Sequence, residues 1–387
     1  MRYSPFRHLP SVLWKHRPIQ LTFFVTRRCN AHCPFCFYLA STSPPPTTPE
    51  LTLDEIERVA RSLKSLLWLA FSGGEPFLRR DLPAISRAFY RHNRPAIMLL
   101  PTNGLMPELI RTHTEEILRD CPKSVVAVKL SLDGVGDSHD RLRGTPGGFA
   151  KVIETYERLA PLLARYPNFE LGVNTVLCRA NENEMDAIAD FVARLKHIRT
   201  HTVSLVRGDL SDPHHKQVDL RKYQRMSERL ARELRNGSAP LYRFSGGGLK
   251  AAQDILQRRL ILRAARERRQ VIACHAGRLN LVLSESGEVY PCETRTRSFG
   301  NVRGHGYDLN AVLRTAVAGE TLRSIGRGEC HCTHECYFIT NILFNPLLYP
   351  ALAREYLALP RAQPASPSAG RASAETGHDV PTARTGS

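Results

Sequence analysis

Six short apolar runs, separated by longer amphipathic stretches, organise the first half of the chain: LTFFV at 21–25, LLWLAFS at 66–72, AIMLLP at 96–101, SVVAVKLSL at 124–132, ELGVNTVL at 170–177 and HTVSLV at 201–206. Runs this short and this continuously apolar predict strands buried on both faces. Between them, LTLDEIERVARSLKSL begins at a Thr52 cap and repeats Leu and Ile at helical spacing, and DLPAISRAFYRH and NEMDAIADFVARLKH behave similarly. The alternation predicts about six βα units around a parallel sheet, an α/β fold.

Polar and glycine-rich signals follow the strands: SGGEP after the second, TNG at 102–104 after the third, SLDG at the end of the fourth and NTV late in the fifth. The segment CNAHCPFC, residues 29–36, directly follows the first. In parallel barrels and sheets, chemistry collects at these C-terminal strand ends. The expected organisation is an N-terminal extension at 1–20, a core at 21–206, a basic helical connector at 207–270, a cysteine-rich α+β domain at 271–360 and a tail at 361–387. That tail is rich in Pro, Ala, Ser and Gly and is expected to be disordered.

Composition changes this picture little: 42% apolar and 24% charged residues describe an ordinary globular protein. The net charge of +17 is concentrated, with 14 Lys and Arg against 4 Asp and Glu in residues 221–270. Solvated helix faces account for such runs, and an anionic partner or substrate is the alternative. The N-terminus has no apolar secretory core, so a cytoplasmic location is expected. FITNILFNPLLYPAL is interrupted by Asn341, Asn345, Pro346 and Pro350, so it predicts a packing or docking surface and no membrane span.

Ten cysteines in 387 residues do not suit a disulfide scaffold, which belongs to short secreted chains. Three thiolates can hold three corners of a cubane iron-sulfur cluster and leave one iron open to substrate or cofactor. Structural zinc is the competing reading, but it wants four closed ligands, and His32 is poorly placed beside Cys33. The C-x3-C-x2-C spacing, with Phe35 before the last cysteine, resembles that of the radical S-adenosylmethionine (SAM) enzymes, and the downstream signals follow in that family's order across 20–206.

The resemblance implies a partial (β/α)6 barrel of the TIM-like kind, with a [4Fe-4S] cluster on Cys29, Cys33 and Cys36 whose open iron is chelated by SAM. In SGGEP, Gly73 and Gly74 would let backbone approach a ligand and Glu75 would accept from the SAM ammonium. Ser131 and Asp133 are candidate partners of ribose hydroxyls, Asn103 marks the third strand end, and Asn174 and Asn181 resemble positions near the adenosine. Arg143 is a candidate for the SAM carboxylate, weighed against plain surface solvation.

A second cysteine group comprises Cys274, Cys292, Cys330, Cys332 and Cys336. LNLVLSESGEVYPC predicts a hairpin turning at Glu285, Ser286 and Gly287, which brings Cys274 and Cys292 to neighbouring strand ends. Four thiolates suit a closed four-iron site, or tetrahedral zinc. The segment resembles the auxiliary-cluster extension called SPASM or, in its shorter form, twitch. That resemblance implies one auxiliary [4Fe-4S] cluster on Cys274, Cys292, Cys336 and either Cys330 or Cys332, with the fifth cysteine spare or facing substrate.

The resulting expectation is an enzyme that cleaves SAM reductively to a 5′-deoxyadenosyl radical and abstracts hydrogen from a peptide, protein or small-molecule substrate such as a sugar. Its electron donor would be of the flavodoxin or ferredoxin type. With about 20 residues before the first strand, no separate N-terminal peptide-recognition domain is expected. The rival from another class is a non-enzymatic zinc or electron-transfer scaffold.

Overall fold

The computed structural model describes residues 2–38 and 48–360, so the expected tail at 361–387 lies outside the described residues. Six parallel strands follow one another in chain order: β1 (Gln20–Thr26), β2 (Trp68–Gly73), β3 (Ile97–Thr102), β4 (Val125–Ser131), β5 (Phe169–Leu177) and β6 (Thr200–Leu205). All six apolar runs are therefore strands. Every residue of β1 is buried, as a strand covered on both faces requires. The helices between them include α1 (Leu53–Ser62), α2 (Leu82–Asn93), α3 (Pro107–Asp120), α4 (Asp137–Arg143), α5 (Gly148–Leu159) and α6 (Met185–Arg194). Helix α1 begins with a full capping box, in which Thr52 accepts from the Glu55 N–H and the Glu55 carboxylate accepts from the Thr52 N–H.

Alternation along the strands defines an inside. Thr22, Ala70, Leu99, Ala127, Gly172 and Thr202 come from six different strands yet line one cavity, so the sheet curves into a partial barrel with an open lumen.

The C-terminal part is not a detached module. Strand β7 (Asn280–Leu283) pairs in parallel with β1, and β8 (Glu288–Tyr290) and β9 (Gly300–Asn301) continue antiparallel, giving one nine-stranded sheet among the described residues. The hairpin expected around Ser286 and Gly287 is present, with Gly287 at φ +95.

The basic connector also departs from expectation. It forms α7 (Leu220–Arg235) and α8 (Gly247–Glu267), and α8 buries Gln253, Asp254, Gln257 and Arg258 along with its apolar residues. Its polar side chains are not all a solvated face: Lys250, Asp254 and Gln257 wall the lumen. Glu335, Cys336 and Ile339 of α10 add to that wall; the intervening α9 is Ala316–Gly326, α10 is Glu335–Leu343 and α11 is Tyr349–Leu357. The apolar stretch at 338–352 bends between α10 and α11 by 89°, and no single described helix is long and apolar enough to cross a membrane.

Arg303, just after β9, clamps the C-terminal part to α1 by pairing both carboxylate oxygens of Glu55, and Tyr307 donates to the same carboxylate. Hydrogen bonds from Arg303 chiefly hold the Glu55 carboxyl down at about 2, from an ordinary 4.5. A depressed folded pKa stabilises above pH 4.5 and is lost as pH falls towards 2. Hydrogen exchange across 300–313 is therefore expected to accelerate over that acid window. Glu55→Gln should remove this pH step and cost about 1 kcal/mol at neutral pH, a value reduced by solvent screening.

Candidate active site at the strand ends

The three cysteines sit on the loop after β1, and neighbouring strand ends hold that loop. The Cys36 N–H donates to the Cys33 carbonyl at 3.1 Å, a tight turn. The His32 N–H donates to the Arg143 carbonyl at 3.2 Å, and the Cys33 Sγ lies 3.9 Å from the same oxygen. Asn103 at the end of β3 donates to Asn30 Oδ1 at 2.7 Å and lies 3.9 Å from the Cys29 Sγ. Thus Asn103 and Arg143, both singled out in the sequence, meet the cysteine loop.

SGGEP builds the loop's support. A Cβ on Gly74 would lie 2.1 Å from the Arg28 carbonyl oxygen, and one on Gly73 would lie 2.3 Å from that of Thr26. The close approach these glycines allow within the protein is to the chain just before Cys29. Glu75 bonds within the protein as well. Its Oε2 accepts from the Asn103 N–H at 2.7 Å, and its Oε1 accepts from the Thr102 hydroxyl at 2.9 Å and the Phe77 N–H at 3.2 Å. The carboxylate thereby ties β2 to β3, and Oε2, with one bond, keeps a lone pair for a further donor. Burial pushes its pKa up to about 7 against those hydrogen bonds.

Asp133 turns inward too. It is fully buried, accepts from Arg143 and takes the Val176 N–H at 2.7 Å. Arg143 is buried with it, so surface solvation is ruled out for this side chain. The pair's role is positional: it fixes the end of α4, whose Arg143 carbonyl meets Cys33. Asp133→Asn is expected to cost about 3 kcal/mol in thermal unfolding, because it leaves a buried guanidinium poorly neutralised. Asn181 bonds to Cys178, Val176 and Asp133 backbone, a structural role. Ser131 and Asn174 do come together as register partners at the β4 and β5 ends, and Asn174 accepts from Ser204 at 3.2 Å.

Burial pushes the Cys33 thiol up to about 11 and raises that of Cys29, and both sense Cys36. Partly buried thiols that disfavour ionisation, sensing one another and Arg143, suit a cationic metal group that ionises them on binding. Three thiols on one loop fit a cubane with one open iron better than a closed zinc site, which takes four ligands.

The second cysteine group divides differently from expectation. Cys274, Cys292, Cys330 and Cys332 line one cavity of about 510 Å³ with Thr294, Tyr337 and Asn341, whereas Cys336 faces the barrel lumen. The Cys332 thiol, pushed to about 12 by burial, senses Cys274, Cys292 and Cys330. Cys336 lies in the first turn of α10, where its N–H donates to the N-cap side chain of His334 at 3.1 Å. Four of the five cysteines thus share one cavity, and Cys336, which the sequence grouped with them, lines the other.

Sequence reasoning missed a charged network beside Cys336. Arg207, just past β6, reaches Glu293 at 3.3 Å and Glu335 at 3.6 Å, and lies over the Phe37 ring at 5.0 Å. His334 bonds Glu293. These groups join the β6 end, the cysteine loop and the C-terminal part. Arg207 follows the run HTVSLV directly, the position after a strand that flagged the other sites.

The comparisons with known proteins agree with this geometry. Residues 23–192 match the radical SAM superfamily. The chain is 29% identical over 299 residues to an AdoMet-dependent heme synthase of Methanosarcina barkeri, covering 74% of this chain and 80% of the relative. It is 28% identical over 204 residues to an Fe-coproporphyrin III synthase of the same organism, covering 51% of this chain and 45% of that relative. In fold it is similar to anSMEcpe solved with bound AdoMet and Cp18Cys peptide, at TM-score 0.57 and 17% identity, covering 88% of this chain and 99% of the other. With the cysteine loop and the six strand ends in agreement, residues 23–192 match the radical SAM superfamily, and the chain is similar to enzymes of that kind.

Proposed function

We propose that Cys29, Cys33 and Cys36 hold a [4Fe-4S] cluster with SAM at its fourth iron, and that the lumen beneath it is the substrate chamber. The observation that carries this reading is the three-thiol loop after β1, held by Asn103 at the end of β3 and by the Arg143 carbonyl, on a barrel whose six strands line one cavity. When bound, the cluster supplies one electron to SAM, whose cleavage gives methionine and a 5′-deoxyadenosyl radical that takes hydrogen from substrate. The chain's own residues position and shield. Asn103 and the Arg143 carbonyl hold the cysteine loop, Glu75 and the Asp133–Arg143 pair hold those two, and Ser131 and Asn174 offer polar atoms at the rim. Helices α8 and α10 close the open side of the barrel against solvent.

Cys274, Cys292, Cys330 and Cys332 hold an auxiliary [4Fe-4S] cluster in the same reading. Thr294 Oγ1 lies 3.3 Å from the Cys292 Sγ, and Asn341 hydrogen-bonds the Cys274 thiol, a supporting shell of the kind that tunes a cluster. One small apolar cluster, including Phe24, Val282 and Tyr337, is touched by Cys36 and by Cys274 and Cys330, so the two cysteine groups share a packed boundary. The electron donor is a one-electron protein of the flavodoxin or ferredoxin class. Relatives named for haem and Fe-coproporphyrin III, and a structural neighbour holding a peptide, leave small-molecule and peptide substrates as the two classes.

The test is electron paramagnetic resonance of the anaerobically reconstituted, dithionite-reduced protein. SAM is expected to perturb one of two cluster signals. A SAM-insensitive spectrum, or zinc in place of iron, overturns the assignment.

A further inference from the structure

The lumen has two unlike walls. Trp68, Ala70, Ile97, Leu99, Val125 and Ala127 of β2, β3 and β4 make an apolar face, while Lys129, Asn174, Thr200, Thr202 and Ser204 from β4 to β6 make a polar one. The space between is about 1110 Å³, measured out to solvent. Most small parallel barrels fill this volume with branched apolar side chains. Here buried polar atoms at the wall find no protein partner: Thr22 Oγ1, Trp68 Nε1, Glu170 Oε2, Arg207 Nε and Glu335 Oε1. Groups left this way in an interior are met by a ligand or ordered water.

Charge is uneven too. Lys129 projects its ammonium into the cavity, bonds the Thr200 and Thr202 hydroxyls, and makes no ion pair among the described residues. Two carboxylates face it, Glu170 and Asp254, and Asp254 is already engaged by Lys250 and by the Tyr242 hydroxyl at 2.7 Å. Lys250 and Arg258 face Lys129, and Arg199 and Arg243 face Glu170, so cations outnumber anions around this end of the lumen. Burial lowers the Lys129 pKa to about 7, which the facing Asp254 and Glu170 offset only in part.

We propose that Lys129 anchors an anionic group of the substrate, whose apolar body lies on the face made by Trp68, Ile97 and Leu99, so that the lumen selects an amphipathic carboxylate. The inference rests on the reading of the lumen as the substrate chamber. Neither a neutral peptide segment nor a free sugar supplies both halves of that recognition. A phosphate offers the same charge, and the experiment separates the two sources.

The probes are coproporphyrin III, a flat apolar ring bearing four carboxylates, its neutral tetramethyl ester, and GTP. Each is titrated calorimetrically into the anaerobic holoprotein, its Lys129→Met variant and its Lys129→Arg variant, with iron content and melting temperature checked to confirm folding. The expected result is micromolar binding of coproporphyrin III, at least about tenfold weaker for the ester and for Lys129→Met, and largely restored in Lys129→Arg, since one buried charge-assisted hydrogen bond is worth about 1.5–3 kcal/mol. GTP binding with the same Lys129 dependence would keep the anion subsite and move its source to phosphate. Binding of no probe, or binding indifferent to Lys129→Met and to esterification, overturns the proposal. SAM cleavage, measured separately, reports whether the radical reading itself has failed.

Discussion

Replacing Cys33 with alanine is expected to reduce 5′-deoxyadenosine formation to the level of a protein-free control and to lower the iron content by about four per chain. Three thiolates are the minimum protein ligation for a cubane with one open iron, and two cannot hold it. The Cys33 side chain is partly buried beside the Arg143 carbonyl and senses Cys36, so its loss removes one of the three thiols of the loop. Its backbone turn with Cys36 uses main-chain atoms and survives the substitution, so the loss is of ligation and not of fold. Cys121→Ala is the control. That thiol is fully buried in the core beside α3 and is expected to lose some stability with activity kept.

The second large effect separates the cysteines of the C-terminal part. Cys292→Ser is expected to take the reconstituted protein from about eight irons per chain to about four, and Cys336→Ser to leave it at about eight. The prediction follows from which cavity each side chain lines: Cys292 shares one with Cys274, Cys330 and Cys332, and Cys336 shares the lumen with Arg207, Glu293 and Glu335. Iron analysis with electron paramagnetic resonance reads it directly. Four irons lost from Cys336→Ser and none from Cys332→Ser would reinstate Cys336 as a ligand.

Periodicity revealed the strands and strand ends because burial on both faces forces near-continuous apolar runs, and each of the six runs is a strand. The chemistry of the cysteine loop was legible for the same reason that motifs work at all: three soft ligands must lie within one short turn. What the side chains of Glu75, Asp133 and Arg143 bond to was not legible. A carboxylate at a strand end has the same sequence signature whether it faces a ligand or the neighbouring strand. Which cavity Cys336 lines was not legible either, because spacing along the chain does not say how a thiol in the first turn of a helix is placed. Lys129 did have a signal, as the one charged residue inside SVVAVKLSL. Helix α8 was read as solvated because its charge was summed over the whole connector, and buried Asp254 and Arg258 disappear into that sum.

The most direct test of the account is mass spectrometry for 5′-deoxyadenosine after anaerobic reconstitution with iron and sulfide, dithionite reduction and addition of SAM. The account predicts 5′-deoxyadenosine and methionine in equal amounts, lost in Cys33→Ala and kept in Cys121→Ala. Intact SAM recovered from a protein fully loaded with iron, with candidate substrates present, would contradict it.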